Sequence, residues 1–324
     1  MSSIKIIGTG SALPKRVMKN EELTKWMDTS DEWIRERTGI AQRHISTGET
    51  VASLAGEAAK KAIENAGIEA TDLDMLLVAT CSPECMIPSV SCQVQAYVGA
   101  QNAVAFDLNA ACAGFLFCLH TAYAYVNSGI YEKILIVGSE VLSKLYDPGD
   151  RGTGILFGDG AGAAVVTKCD DGEGLIAFTQ MADGSRGGAL TCENRVLKNA
   201  LYESEQAYPG FIQMDGREIF KFAVRQIPMC IEETLSKTKF NKEDITYYVL
   251  HQANARIVES IANRLVVSME HFPYNVDRVG NTSSASIPIL LDELNRNGKL
   301  KKGMKLVLSG FGAGLTYGAC VLSW

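Results

Sequence analysis

The sequence predicts an α/β protein made of two similar halves, each of roughly 160 residues, with two sheets lying between layers of helix and one helix from each half buried at the centre. Three observations predict it. Apolar, strand-like runs alternate with amphipathic, helix-like stretches along the 324 residues. The order of these elements repeats: setting Asp72 on Asp244 places Ile63, Ile68, Leu73 and Leu77 on Leu235, Phe240, Ile245 and Val249. Setting Gly129 on Gly298 without a gap brings Cys112 onto Asn281, each entering a helix. On this reading residues 1–170 form the first half and residues 171–324 the second.

Taken in order, "IKIIG" at residues 4–8 reads as a buried strand. Gly8 and Gly10 imitate the start of a dinucleotide fingerprint, but Pro14 falls where its helix would run and the third glycine is missing. In "TSDEWIRERTGIAQRHI", Ser30 suits an N-cap, Asp31 and Glu32 a first turn, and Gly39 a stop. Residues 51–66 are Ala-rich and amphipathic, "DLDMLLVATCS" reads as a buried strand, and "IPSVSCQVQAYVGA" as a helix with Pro88 near its start. A strand then leads into the Cys112 segment and its helix, and "KILIVGSE" is again a strand. "GDGAGA" lacks the Lys and Ser/Thr of a phosphate-binding loop, so its glycines indicate close backbone packing.

Residues 170–212 read as a loop or excursion. Beyond it, "GREIFKFAVRQIPMCIEETLSKT" is helical with an interruption near Pro228, and "DITYYVLHQANARIVESIANRL" is a strand followed by an amphipathic helix. "GNTSSASIPILLDELNRNGKL" gives a loop and a helix, and the chain closes with two strands around a glycine turn.

With 47% apolar and 21% charged residues the chain has ample material for a core. A net charge of −6 and a pI near 5.4 argue against a broad nucleic-acid-binding surface. No basic leader and no apolar run long enough to span a bilayer is present, so no membrane association is expected and a cytoplasmic location is. Nine scattered cysteines form no disulfide framework in a chain this long, and no His/Cys set has metal-ligand spacing, so no metal is expected.

Cys112 lies in "DLNAACAGF", where a strand turns into a helix. A sulfur beside unpaired helix N-terminal N–H groups is in a setting that lowers a thiol pKa, and the thiolate is the form that attacks an acyl carbonyl. A buried apolar cysteine would fit the same bare pattern. Two further segments bear on the choice: His251 in "LHQANARI" at a strand end, and Asn281 in "GNTSSASIP". A neutral His and an Asn amide supply two side-chain donors for negative charge on an acyl oxygen or enolate. Trp33 and Arg37 stand four apart on one helix face, where they share a ligand or stand as a half-buried ring beside a solvated cation.

Read together, "IIGTGSALP", "TSDEWIRERTGI", "DLNAACAGF", "DRGT", "FGDGAGAAV", "HQANARI", "GNTSSASIP" and "GFGAGLTYG" make the whole chain resemble the thiolase-like condensing enzymes, and within them β-ketoacyl-acyl carrier protein synthase III. The resemblance implies a duplicated five-layered αβαβα sandwich, a homodimer, and a Cys112-His251-Asn281 triad split between the halves. It implies a decarboxylative condensation of a short acyl-CoA primer with malonyl-acyl carrier protein that starts fatty acid synthesis, with the coenzyme A thioester as substrate and no cofactor.

By the same resemblance, Trp33 and Arg151 flank the adenine of coenzyme A, Arg37 meets its phosphates and Asn254 lies along the pantetheine. Gln252, Ala253, Asn254, Ala255 and Arg256 form the carrier-protein-binding segment, joined by Lys221 and Arg264. Backbone N–H groups of Cys112 and Ala313 form the oxyanion hole; many relatives carry "GFGGG" where this chain has Ala313. Ile87 reaches across the dimer to close the partner's acyl pocket. A secondary-metabolite ketosynthase or an acyltransferase would use the same residues, and a non-catalytic binding subunit fits poorly with retention of all three.

Overall fold

The computed structural model describes residues 3–169, 173–193, 198–203 and 210–324. The first sheet holds β1 (Ser3–Ala12), β2 (Met75–Ala79), β3 (Val104–Leu108), β4 (Lys133–Glu140) and β5 (Gly160–Cys169), in the order β1-β5-β4-β2-β3. The second holds β6 (Gly174–Ala182), β7 (Tyr247–Leu250), β8 (Lys305–Gly312) and β9 (Thr316–Ser323), in the order β6-β9-β8-β7. Strand directions match as well: β1 and β6 are antiparallel to β5 and β9, which are antiparallel to β4 and β8, which run parallel to β2 and β7. Only the first sheet carries the extra edge strand β3 among the described residues. At the matching spacing the second half has the short helix Val276–Val279.

The longer helices are α1 (Asp31–Thr38), α2 (Val51–Ala66), α3 (Val90–Val98), α4 (Gly114–Asn127), α5 (Gly216–Ser236), α6 (Ala255–Leu265) and α7 (Ser286–Arg296). Successive strand residues point to opposite faces, which sorts each sheet between two cores. Leu77, Ile134 and Ile136 of the first sheet and Val249, Leu306 and Leu308 of the second point inward, onto Phe115, Leu116 and Leu119 of α4 and Ile287, Leu290 and Leu291 of α7. Leu76, Val78, Leu135 and Val137 face outward onto α2 and α3. Val307, Ala319 and Val321 face outward onto α5 and α6. The result is the expected αβαβα sandwich, with α4 apolar around most of its surface because it is central.

Glycines let this centre close up. A Cβ at Gly162 would stand 2.5 Å from the Ile289 nitrogen and one at Gly138 2.3 Å from the Ser284 carbonyl oxygen, so α7 rests directly on the backbone of β4 and β5. The glycine-rich run therefore serves packing. Ser30 caps α1 by accepting from the Trp33 N–H, and Gly39 ends it at φ 74°.

Three expectations need correction. The 170–212 region contains β6, whose Leu175 and Phe178 pack into the central core while Ile176 packs outward; the polar residues that follow hid this alternation. Within the same region Leu190–Thr191 pairs with Gln213–Met214, and residues 170–172, 194–197 and 204–209 lie outside the described residues. Helix α5 continues through Pro228 without a break, because Ile219, Phe222, Ala223, Ile227, Cys230, Ile231 and Leu235 are buried along it. That burial outweighs an interior proline cost of about 3 kcal/mol.

The third concerns Gly129 and Gly298, which are both left-handed stops but end helices of 14 and 11 residues. Matching them misaligns the helix starts. The spacing that sets Asp72 on Asp244 also sets β2 on β7 and β4 on β8, and it places Cys112 opposite Ser284 and Asn109 opposite Asn281.

Candidate active site

The turns entering α4 and α7 have one design. Ala111 and Ser283 are non-glycine residues with left-handed φ values of 45° and 51°. In each, an asparagine two residues earlier accepts from the strained residue's N–H: Asn109 Oδ1 from Ala111 at 3.1 Å, and Asn281 Oδ1 from Ser283 at 2.9 Å. Such local side-chain bonds stabilise a left-handed kink. Bonding through Oδ1 leaves each amide NH2 as the free donor end.

The second turn gathers the three residues singled out from sequence. Asn281 belongs to it, Ser283 lines the same cavity as Cys112, and Ser286 Oγ is 2.7 Å from His251 Nδ1. His251, at the end of β7, is 3% exposed and Asn281 6%. Cys112 is half-buried at the head of α4. Across from it, a Cβ on Gly312 would stand 2.5 Å from the Cys112 nitrogen, so the backbone entering Ala313 abuts the Cys112 turn. Ala313 needs no positive φ; that angle falls on Gly314 at 133°, which is why alanine is tolerated here. Cys112, Ser283 and Ala313 line a cavity of about 830 Å³ whose walls include Leu142, Phe157, Phe211 and Ile212.

The electrostatics bear on the setting expected for Cys112. Burial pushes the Cys112 thiol up to about 12, the Glu140 carboxylate adds to the rise, and the Ser283 hydroxyl opposes it. This rise runs against the lowering expected from the helix terminus. Burial pushes His251 down to about 3, so its ring is neutral. Glu140 itself closes β4 inside this cluster and is fully buried. Glu140, Ser283 and Ser286 escaped the sequence reading; an acidic residue ending the apolar run "KILIVGSE" was the available signal.

Elsewhere, the guanidinium carbons of Arg37 and Arg151 lie 4.7 and 4.6 Å from the Trp33 ring centroid. At that distance no flat base fits between Trp33 and Arg151 unless Arg151 turns aside. Asn254 is spoken for at both ends: Nδ2 donates to the Arg37 carbonyl at 3.1 Å, and Oδ1 caps α6 by accepting from the Arg256 N–H at 2.9 Å.

The "QANAR" segment divides. Gln252 is wholly buried, donating to the Leu250 carbonyl at 2.8 Å and accepting from the Asn275 N–H at 3.1 Å, and Ala253 is 8% exposed. Neither presents a docking surface, which corrects their assignment to carrier contact; Gln252 braces the strand end that carries His251. Ala255 is half-buried, whereas Arg256, Lys221 and Arg264 are exposed on the adjacent helices α5 and α6. Ile87 is 86% exposed, just before α3.

Two family models match, 3-oxoacyl-[acyl-carrier-protein (ACP)] synthase III over residues 106–184 and its C-terminal region over residues 235–324. The β-ketoacyl-[acyl-carrier-protein] synthase III of Clostridium acetobutylicum is 46% identical over 324 residues, covering 100% of this chain and 99% of that protein. The crystal structure of 3-oxoacyl-[acyl-carrier-protein] synthase III from Aquifex aeolicus superposes with a TM-score of 0.93 at 41% identity, covering 99% of this chain and 100% of that one. A priming β-ketosynthase from a polyketide biosynthetic pathway superposes at 0.92 with 34% identity, over 99% of this chain and 96% of its own. A cysteine at a buried helix start, a neutral histidine and an asparagine on the facing turn, and likeness along the full length converge on one conclusion: the chain belongs to the β-ketoacyl-acyl carrier protein synthase III family.

Proposed function

We infer that the chain starts fatty acid synthesis by decarboxylative condensation of a short acyl-CoA primer with malonyl-acyl carrier protein, through an acyl group held on Cys112. Cys112 sulfur attacks the thioester carbon, the N–H groups of Cys112 and Ala313 hold the oxyanion, and coenzyme A leaves. Malonyl-carrier then enters. With the ring hydrogen of His251 on Nε2, Ser286 Oγ accepts from the Gln252 N–H at 3.3 Å and donates a hydrogen bond to Nδ1 at 2.7 Å. That N–H and the Asn281 NH2 stabilise the enolate formed as carbon dioxide departs, and the enolate attacks the acyl-cysteine. No metal or organic cofactor is needed, because the departing carbon dioxide supplies the carbanion.

Residues 1–170 would carry the nucleophile and residues 171–324 the two donors. Trp33, Arg37 and Arg151, with the backbone at Asn254, would receive coenzyme A once Arg151 turns. Arg256, Lys221 and Arg264 give the acidic carrier a basic approach, and the protein would work in the cytoplasm. A homodimer would cover the edge strand β3 and exposed Val104, Tyr97 and Ile87, which would place Ile87 against the partner's acyl pocket. The observation that carries the reading is the turn 281–286, which presents Asn281, supports His251 and lines the Cys112 cavity.

The likeness to a polyketide priming enzyme supports a second reading, the same chemistry serving a secondary-metabolite pathway. Incubating the protein with malonyl-carrier and a panel of acyl-CoAs tests both. Acyl-CoA-dependent release of carbon dioxide with β-ketoacyl-carrier by mass spectrometry is expected. Acyl transfer without carbon dioxide would replace condensation with simple acyltransfer, and a preference for primers foreign to fatty acids would favour the second pathway.

A further inference from the structure

Glu140 is a carboxylate with no exposed surface and, among the described residues, no cation among its hydrogen-bond partners. It accepts from Ser82 Oγ at 2.5 Å, Ser284 Oγ at 2.9 Å, the Cys81 N–H at 3.1 Å, and Thr80 Oγ1 and Ser283 Oγ at 3.2 Å. The Cys81 sulfur is 3.5 Å from both of its oxygens. Buried charges are ordinarily paired, and this one is met by hydroxyls, a thiol and an amide. Of those hydroxyls, Ser283 also lowers the Cys112 pKa, and it lines the same cavity as Cys112. Ser283 thus stands between the Cys112 cavity and the carboxylate, bonded to the latter.

We propose that Glu140, acting through the Ser283 hydroxyl, takes the proton of Cys112 when the thiol attacks and holds it until the sulfur is released. The proposal rests on Cys112 being the nucleophile. The Cys112 S–H proton passes to Ser283 Oγ as the Ser283 proton passes to Glu140. A bond forms between Cys112 sulfur and the acyl carbon, the carbon–sulfur bond to coenzyme A breaks, and the coenzyme A sulfur keeps the electron pair and takes a proton from water. In the second half-reaction the enolate carbon bonds to the acyl carbon, the Cys112 bond breaks, and the departing thiolate recovers its proton from Ser283 as Ser283 recovers one from Glu140. One solvent proton is consumed per turnover, matching the malonyl carboxylate lost as carbon dioxide.

Through this cycle the pocket behind the sulfur never holds carboxylate and thiolate together, an arrangement that low-dielectric surroundings would penalise. Burial raises the Glu140 pKa, which suits a group that must hold a proton, and Ser283 lowers that of Cys112. Cys81 is the other titratable group against Glu140. Burial places its pKa well above the usual range, so it remains a thiol and a donor.

The test is single-turnover transfer of label from radioactive acyl-CoA to the full chain, followed across pH for wild type, Glu140→Gln, Ser283→Ala and Cys112→Ala. Glutamine keeps the volume of Glu140, and Ala111 at the matching place of the first turn shows that alanine accepts the backbone of Ser283. Glu140→Gln and Ser283→Ala should each slow acylation on the order of 100-fold at pH 7. The deficit should shrink as pH rises and hydroxide replaces the relay. Acylation at the wild-type rate, a pH-independent loss, or faster acylation of Glu140→Gln, as expected if its charge only holds the thiol's proton on, each overturns the proposal. Persistent labelling of Cys112→Ala would instead remove the nucleophile, and the proposal with it.

Discussion

The turns entering α4 and α7 share a left-handed residue, an asparagine that ties it down and a helix running through the middle of the molecule, yet they differ in the residue that follows the kink. In the first it is Cys112, half-buried at a cavity; in the second it is Ser284, 1% exposed and bonded to the Ala79 carbonyl at 3.0 Å. The backbone is therefore not what makes a catalytic turn. On the proposed function, two copies of one scaffold divide the labour: the first turn would offer a sulfur, and the second would offer donors and a hydroxyl.

Replacing the paired asparagines breaks or confirms this division. Asn281→Ala should lower condensation on the order of 100- to 1,000-fold through loss of an enolate donor, while acyl labelling of Cys112 is affected far less. Asn109→Ala loses the same turn bond, so it should cost about 1 kcal/mol in denaturant unfolding and less than about tenfold in condensation. Equal catalytic losses from the two would show that Asn281 serves the turn alone. His251→Ala should follow Asn281→Ala in sparing the first half-reaction.

The division extends to the substrates. Arg256, in the second half, should serve the carrier, so Arg256→Glu should raise KM for malonyl-carrier by about tenfold at low salt, with the effect fading as salt screens it. An equal rise for acyl-CoA would move Arg256 to coenzyme A binding.

The smallest effect belongs to the first half. Ile87→Phe should shift kcat/KM towards acetyl over longer or branched primers by nearly fourfold per methylene, from about 0.8 kcal/mol for each buried CH2. An unchanged chain-length profile would leave Ile87 as interface packing.

The layers and the three central residues were legible because they rest on local signals: alternation in "KILIVGSE", amphipathic helices, and chemically distinctive side chains at strand ends and helix starts. The capping of α1 by Ser30 and its stop at Gly39 were equally local. Burial was not legible. Nothing in "QANAR" tells that Gln252 faces inward while Arg256, four residues on, faces water, and nothing around Cys112 announces the carboxylate of Glu140, which arrives from another strand. The raised thiol pKa follows from burial first, and that long-range meeting adds to it. Pro228 misled for the same reason, since packing along the sheet overrode a local preference.

The close seat of α7 on Gly138 and Gly162 limits what could be built on this scaffold by engineering. A designer wishing to transplant the nucleophile into the second half would choose Ser284, the true counterpart of Cys112, and not Asn281. The graft would have the right backbone and the wrong outlook. Ser284 Oγ already bonds the Ala79 carbonyl at 3.0 Å and Glu140 at 2.9 Å, so a sulfur at that position would be walled in by β2 and β4. Opening a chamber for it would mean prying the central helix from the first sheet, and the same lever would pull Ser283 away from Cys112.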